Sequence, residues 1–412
     1  MAKNNVYCFG NSFNGELPVK TEEDLVLVPQ KIRLTHDRRK YSFVALASGK
    51  QHTLLLLKNV TLETTEVFSC GSNERHQLGR LGSWRKLEVI DSLSARNIVQ
   101  ISCGHFHSCA LSEAGEVFSW GCNRYAQLGL GSSEPSELGK PTIIKKLATN
   151  VSPVIQVACG GNHNLALTKN GELWTFGDNS YGQCGIGSTE RFVSSPTLVT
   201  SLQFTPIRTI SAGGAHSAIV TFGNKLFMFG KNEFGQCSGQ LTNSHKNYNL
   251  PTLQTSLSDH QIAYVSLGEE HSACITTQGG LFTFGAGGFG QCGHGKNTNE
   301  INPRQVFELM GSCIVQVSCG RCHTIVATET GKVLAFGLGA SGQLGIGNTH
   351  SKAVPCVVSG KWVEINLKDL LPRSADRSLC AVDKKQPETN SDVSVEQSGN
   401  FEAFTQPIAS NG

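Results

Sequence analysis

The feature that most limits what this chain can fold into is a pair of phrases that repeat in step. The first is an apolar pair, an aromatic and Gly, followed by a short loop ending in Gly-Gln-Leu-Gly or a close variant. It runs Val67-Phe68-Ser69-Cys70-Gly71 and Val117-Phe118-Ser119-Trp120-Gly121, then closes on Gly177, Gly230, Gly285 and Gly337. A weaker copy, Val6-Tyr7-Cys8-Phe9-Gly10, opens the chain. The Gly-to-Gly steps are 61, 50, 56, 53, 55 and 52 residues. The second phrase is an apolar run, a Gly, two residues, a His and another apolar run. Its histidines are His52, His107, His163, His216, His271 and His323. Each lies 14 residues before its aromatic-Gly partner in five units and 19 in the first, where Lys58 to Glu66 lengthens one turn.

Within the unit around His163, four short strands are expected: 154–158, 164–167, 172–176 and 196–199. An Asn170-Gly171 turn of hairpin type joins the second to the third. Four-stranded units at this period predict an all-β propeller. This reading also accounts for the 45 Gly among 412 residues, since tight turns and close blade contacts favour a residue without Cβ. Length alone would predict two or three domains; a single ring overrides that.

Six histidines face seven aromatic-Gly phrases. Fifty-four residues after His323, the segment Asp376-Arg377-Ser378-Leu379-Cys380-Ala381-Val382 fits the apolar pattern with Arg in place of His. The expectation is therefore a seven-bladed β-propeller over 1–383. Its last blade takes two strands from 362–383 and two from 6–31, which closes the ring and removes exposed sheet edges. Residues 384–412, rich in Gln, Ser, Asn, Glu and Pro, are expected to form a disordered tail.

A residue that every blade carries belongs to the architecture. The six histidines are therefore read as structural, each hydrogen-bonding backbone near its glycine turn, together with Gly71, Gly121, Gly177, Gly230, Gly285 and Gly337. His105 and His294 fall outside the register and are expected at the surface. Cys319-Gly320-Arg321-Cys322-His323 matches a haem-attachment pattern, but Cys319 and His323 are repeat positions and only Cys322 is idiosyncratic. Cys184, Cys237 and Cys292 stand where Leu stands in Gly-Gln-Leu-Gly and are expected to pack as small apolar groups. Gly285-Ala286-Gly287-Gly288 follows a strand but opens no helix, so it lacks the means to hold a phosphate. No metal, cofactor or catalytic residue is expected.

The net charge of +3 argues against a nucleic-acid binder, and the basic clusters at 38–40, 85–86 and 145–146 read as solvated loops. The N-terminus has no apolar signal core, and no apolar run approaches a membrane span. The expectation is a monomeric cytoplasmic protein, present in the nucleus as well, with its Cys reduced.

The two phrases resemble the regulator-of-chromosome-condensation repeat family over about residues 6–383. The resemblance implies a seven-bladed propeller closed by its terminal strands. A narrower similarity, in Phe282 to Gln291, Ile301 to Ser312 and Val358 to Trp362, is to the propeller of the small HERC ubiquitin ligases. Those ligases carry a HECT domain with a catalytic Cys; the chain ends soon after the ring, so no ligase chemistry is expected of it. The founding member exchanges guanine nucleotide on a small GTPase and binds chromatin, using an inserted β-wedge. The regular spacing here leaves no room for such an insertion, which makes exchange the weaker expectation.

The reading is thus a non-catalytic platform that holds proteins: ubiquitin-pathway components, or alternatively a small GTPase. Specificity on a repeating frame must reside in its non-repeating residues. One set lies between the Gly and the His: Lys50, Gln51, His105, Phe106, Glu269, Glu270 and Arg321. Another precedes Gly-Gln: Glu74, Arg75, His76, Arg124, Tyr125, Tyr181, Phe234 and Phe289.

Overall fold

The computed structural model describes residues 6–360, except 20–22, 33–34, 37–38, 150–151, 189 and 239–246. It is an all-β propeller. Six antiparallel sheets follow one another along the chain, and their strands pair in sequence order. The blade around His163 contains Val154–Cys159, His163–Thr168, Leu173–Asp178 and Phe192–Leu198. The second strand begins on the His itself. The fourth begins earlier than its apolar residues indicate, because Phe192 pairs with Asp178 beyond a bulge at Gly177. In the first blade the longer His-to-Gly interval extends the hairpin of His52–Asn59 and Thr65–Gly71.

The aromatic-Gly position is occupied by glycine for two reasons. Gly71, Gly121, Gly177, Gly230, Gly285 and Gly337 all have φ between +102° and +112°. A Cβ at Gly71, Gly121, Gly230 or Gly285 would also lie 2.5–2.6 Å from the carbonyl oxygen of the residue preceding the repeat His. Both backbone conformation and space therefore exclude a side chain.

The core is distributed over the joints. Trp120, Phe118, Ile98 and Ile101 of the second blade pack with Leu54, Leu56 and Val67 of the first. Comparable clusters join each following pair of blades. A two-stranded sheet, Tyr7–Asn11 with Leu25–Lys31, puts Val6, Cys8, Phe9 and Val26 into one cluster with Leu55 and Phe68 of the first blade and Ile325 and Leu344 of the sixth. The N-terminal strands thus sit between the last complete blade and the first. The further strands expected at 362–383, and the tail at 384–412, lie outside the described residues.

The repeat histidines tie the joints in a different way from the one expected. Each ring is buried, at 0–1% exposure. For five of them Nε2 meets a side chain of the next blade: His52 with Ser108 at 2.9 Å, His107 with Asn164 at 2.9 Å, His163 with Ser217 at 2.8 Å, His216 with Ser272 at 3.0 Å and His271 with Thr324 at 2.9 Å. Each of those partners in turn donates to the backbone carbonyl of the repeat Gln in the His-bearing blade: Gln77, Gln127, Gln183, Gln236 and Gln291. A carbonyl can only accept, so each hydroxyl spends its proton there and accepts from the imidazole. The Nε2–H tautomer is thereby fixed. At these five joints the side chain of the next blade stands between Nε2 and the glutamine carbonyl, where a direct bond to backbone was expected.

His294 also departs from its expectation. It is 7% exposed, and its Nε2 lies 2.9 Å from Thr283 Oγ1 inside the fifth blade. Cys184, Cys237 and Cys292 are buried in the Leu position, as expected.

Candidate recognition face around the axis

In a four-stranded antiparallel blade, the first and third connections emerge at the same end. The two sets of variable residues occupy those connections, so they share one face. Hydrogen bonds knit them together: Ser72 N donates to Gln51 O at 2.7 Å, and Cys122 N donates to Phe106 O at 2.8 Å.

The outer loops are held by the invariant part of the repeat. Gln77, Gln127, Gln183, Gln236 and Gln291 each turn Oε1 back to accept the backbone N–H of Arg75, Tyr125, Tyr181, Phe234 and Phe289, at 2.8–2.9 Å. Asn73, Asn123, Asn179 and Asn232 brace the same loops from within. The variable side chains are therefore displayed on braced turns. Glu74, His76, Arg124, Tyr181 and Phe289 are exposed, whereas Arg75, Tyr125 and Phe234 are half-buried.

Most of the charge on these loops is already paired. Glu137 holds Arg75 at 2.7 Å and also faces Arg124 at 3.6 Å and His76 at 4.0 Å. Lys231 bridges Glu270 at 2.7 Å and Glu233 at 3.0 Å, and lies over the rings of Tyr181 and Phe234. Arg191 lies over Tyr125. Sequence reading missed Glu137, Lys231 and Arg191, because they come from strand ends rather than from the loops between the repeat landmarks.

The inner set rings the axis. The first strands of successive blades stand side by side, and their closing turns hand hydrogen bonds around the ring: Lys50 N to His105 O, His105 N to Gly161 O, Gly161 N to Gly213 O and Gly214 N to Gly268 O. These turns enclose an axial cavity of about 120 Å³. Lys50, His105, Glu269 and Arg321 line it, whereas Gln51, Phe106 and Glu270 stand one position further out. Lys50 Nζ lies 5.4 Å from the centre of the Phe106 ring.

His105, half-buried rather than on the outer surface, reaches across the mouth. Its Nε2–H donates to Glu269 Oε2 at 2.7 Å, joining the second blade to the fifth. The two blades between them make this possible by carrying Gly161 and Gly214 at the equivalent position. A Cβ at Gly161 would lie 2.8 Å from the imidazole Cε1, and one at Gly214 would lie 3.0 Å from the Glu269 carboxyl carbon. Burial pushes the Glu269 carboxyl up. The hydrogen bond from His105 and the charges of His105, Arg321 and Lys50 outweigh it and hold the carboxyl below its usual range.

Cys103, Cys159 and Cys319 line the deeper wall of the cavity. Burial pushes the Cys319 thiol up to about 12 and raises Cys322 as well. Since the thiolate is the reactive form, this opposes nucleophilic or redox use of the Cys-x-x-Cys-His stretch. Among the described residues no cluster of three or more His, Cys, Asp or Glu is arranged to hold a metal.

Comparison with known proteins agrees with this geometry. The chain is 40% identical over 375 residues to the probable E3 ubiquitin-protein ligase HERC4 of Homo sapiens, across 90% of this chain and 34% of that protein. It thus spans about a third of the length of that relative. It is 33% identical over 331 residues to the ultraviolet-B receptor UVR8 of Arabidopsis thaliana, across 79% of this chain and 71% of that one. A solved structure of Prp20p from Saccharomyces cerevisiae, described together with its binding to Gsp1p and histones, has the same fold. It superposes with a TM-score of 0.74 at 21% identity, over 87% of this chain and 86% of that one. Residues 5–371 match the RCC1-like domain, and with the repeat and the blades in place the chain belongs to the RCC1-like domain family.

Proposed function

We propose that the chain is a non-catalytic protein-interaction propeller, a substrate-recruiting or regulatory platform linked to ubiquitin-ligase pathways. The observation that carries this reading is the convergence of both variable loop sets on one braced face. Rigid loops lose little freedom on binding, so contacts made there convert efficiently into affinity. The similarity to HERC4 supports the pathway. We extend the propeller to a seven-bladed ring over 1–383, with residues 362–383 completing the blade that the N-terminal strands begin.

Affinity capture with the full chain tests the platform. Tyr181→Ala, Phe289→Ala and Arg124→Glu change exposed side chains on this face, so specific partners should be lost from at least one of them. Capture unaffected by all three would overturn the assignment. A labelled-nucleotide release assay over a panel of small GTPases tests the exchange-factor alternative, and acceleration of any member would replace the platform reading. Deleting 362–383 should abolish cooperative unfolding, whereas deleting 384–412 should leave it intact.

A further inference from the structure

The joint between the second and third blades differs from the others in its thiols. Where Val154–Cys159 pairs with His163–Thr168, Cys159 stands directly opposite Asn164, so the two side chains leave the same face of the sheet. Asn164 reaches the second blade, where its Oδ1 meets His107 Nε2 at 2.9 Å and lies 3.7 Å from Cys109 Sγ. Cys159 points into the same joint. Its backbone N–H donates to Ser102 Oγ at 2.9 Å, and Ser102 is the residue paired with Cys109. The two thiols therefore face each other across the joint, and they are in hydrogen-bond contact. No other described joint carries Cys at both positions. Cys103 and Cys319 repeat the place of Cys159, but Leu54 and Ala273 stand where Cys109 would be.

The two thiols are not equivalent. Cys159 is 9% exposed and lines the axial cavity, whereas Cys109, at 1%, lies behind it. The hydrogen bond to Cys159, together with burial, pushes the Cys109 thiol up. Burial also opposes charge on Cys159, but its hydrogen bonds with Cys109 and His107 outweigh this and bring that thiol down. His107 suits this role. Its Nε2–H is spent on Asn164, so its other nitrogen, Nδ1, carries no proton and can accept one. The inner thiol thus keeps its proton, and the sulfur nearer the cavity is the nucleophile.

We propose that Cys109 and Cys159 are a redox couple that closes a disulfide between the second and third blades when hydrogen peroxide enters the axial cavity. The Cys159 thiolate attacks the peroxide. An S–O bond forms, the O–O bond breaks, and the departing hydroxide takes the proton that Cys159 gave up. Sulfur is oxidised by two electrons to a sulfenic acid, and the peroxide is reduced by the same two. The Cys109 sulfur then attacks the Cys159 sulfur. An S–S bond forms, the S–O bond breaks, and hydroxide leaves with the Cys109 proton as water. Two thiols and one peroxide have then become one disulfide and two waters. The bond ties the two blades together directly beneath the turns that carry His105 and Gly161. This goes beyond the platform reading and does not depend on it.

The test treats the full chain with hydrogen peroxide, alkylates it in denaturant and digests it for mass spectrometry. Peptides joined through Cys109 and Cys159 should accumulate at least tenfold faster than half-exposed Cys356 is oxidised, and dithiothreitol should restore both thiols. Cys109→Ser should stop at a Cys159 sulfenic acid, trapped by dimedone, and Cys159→Ser should give neither product. Circular dichroism melts confirm that both variants are folded; should one fail to fold, the time course of the unaltered chain decides. Absence of the joined peptide while Cys356 is oxidised overturns the couple, as does its appearance only in urea. Peptides joined through Cys103 or Cys319 at equal yield also overturn it, because the cavity thiols would then be reacting without selection.

Discussion

The histidine relay makes the ring sensitive to acid in a window where few other groups titrate. Burial holds His52, His163 and His271 down at about 3 and His216 and His323 at about 4, against an ordinary value near 6.5. Each is neutral in the folded state, with His52, His163, His216 and His271 donating across a joint, and each takes up a proton freely once unfolded. The folded values are depressed, so the contribution is complete above about pH 6.5 and is lost progressively as the pH falls toward 3–4. At pH 5.5 an unfolded His binds ~0.9 proton and a folded one almost none, so five give a difference of ~4.5 protons. The corresponding slope is ~6 kcal/mol per pH unit, and the accumulated loss from pH 7.5 to 5.5 is about 7 kcal/mol, comparable with the whole stability of a typical domain. Asp and Glu contribute little to this slope, because their ordinary values lie near 4. Urea unfolding of the full chain at half-unit steps from pH 7.5 to 5.0 measures the effect. His163→Gln should remove about one proton from the slope at pH 5.5. A slope corresponding to fewer than two protons, or one unchanged in that variant, would refute the assignment of buried neutral donors.

Four further outcomes are expected. Ser217→Ala leaves His163 Nε2–H and Gln183 O without their partner and should cost ~1–3 kcal/mol at neutral pH, read from urea midpoints. Gly161→Ala puts a methyl group 2.5 Å from Gly214 O and against the His105 ring; it should destabilise by ~1–3 kcal/mol and let the Glu269 pKa rise, seen by NMR titration. Cys184→Leu restores the side chain that Leu128 supplies in the preceding blade and should change stability by less than ~1.5 kcal/mol. In the folded protein Cys184, Cys237 and Cys292 should remain unreactive to a thiol reagent that labels half-exposed Cys356.

The blades were legible because they repeat: a glycine forced to φ near +105° by a bulge must recur in each unit, and recurrence is visible in sequence. The partners of the histidines were less visible, although they too recur. Thr53, Ser108, Asn164, Ser217, Ser272 and Thr324 each follow a repeat His, as one small polar residue inside an apolar strand. All but Thr53 are seen to meet the His of the neighbouring blade, so reading within one unit does not find them. The His105–Glu269 bridge was hidden for the opposite reason. It joins residues 164 apart that share a repeat position but not a residue type, and the features that permit it are side chains missing at Gly161 and Gly214. His294 looked like a surface residue because it breaks the repeat; its neighbour Thr283, buried in the third strand of its blade, takes it inside.

The relay also bears on how such a chain can originate. At each described joint the imidazole and the glutamine carbonyl come from one blade, and the side chain that satisfies both comes from the next. Every complete unit carries both halves of this lock. A duplicated gene segment would therefore encode a blade already complementary to its own copy, and the ring could lengthen without inventing a new interface. Once the joints are secured in this way, the residue after the axial glycine is free to diverge among Lys, His, Gly, Glu and Arg without loosening the assembly.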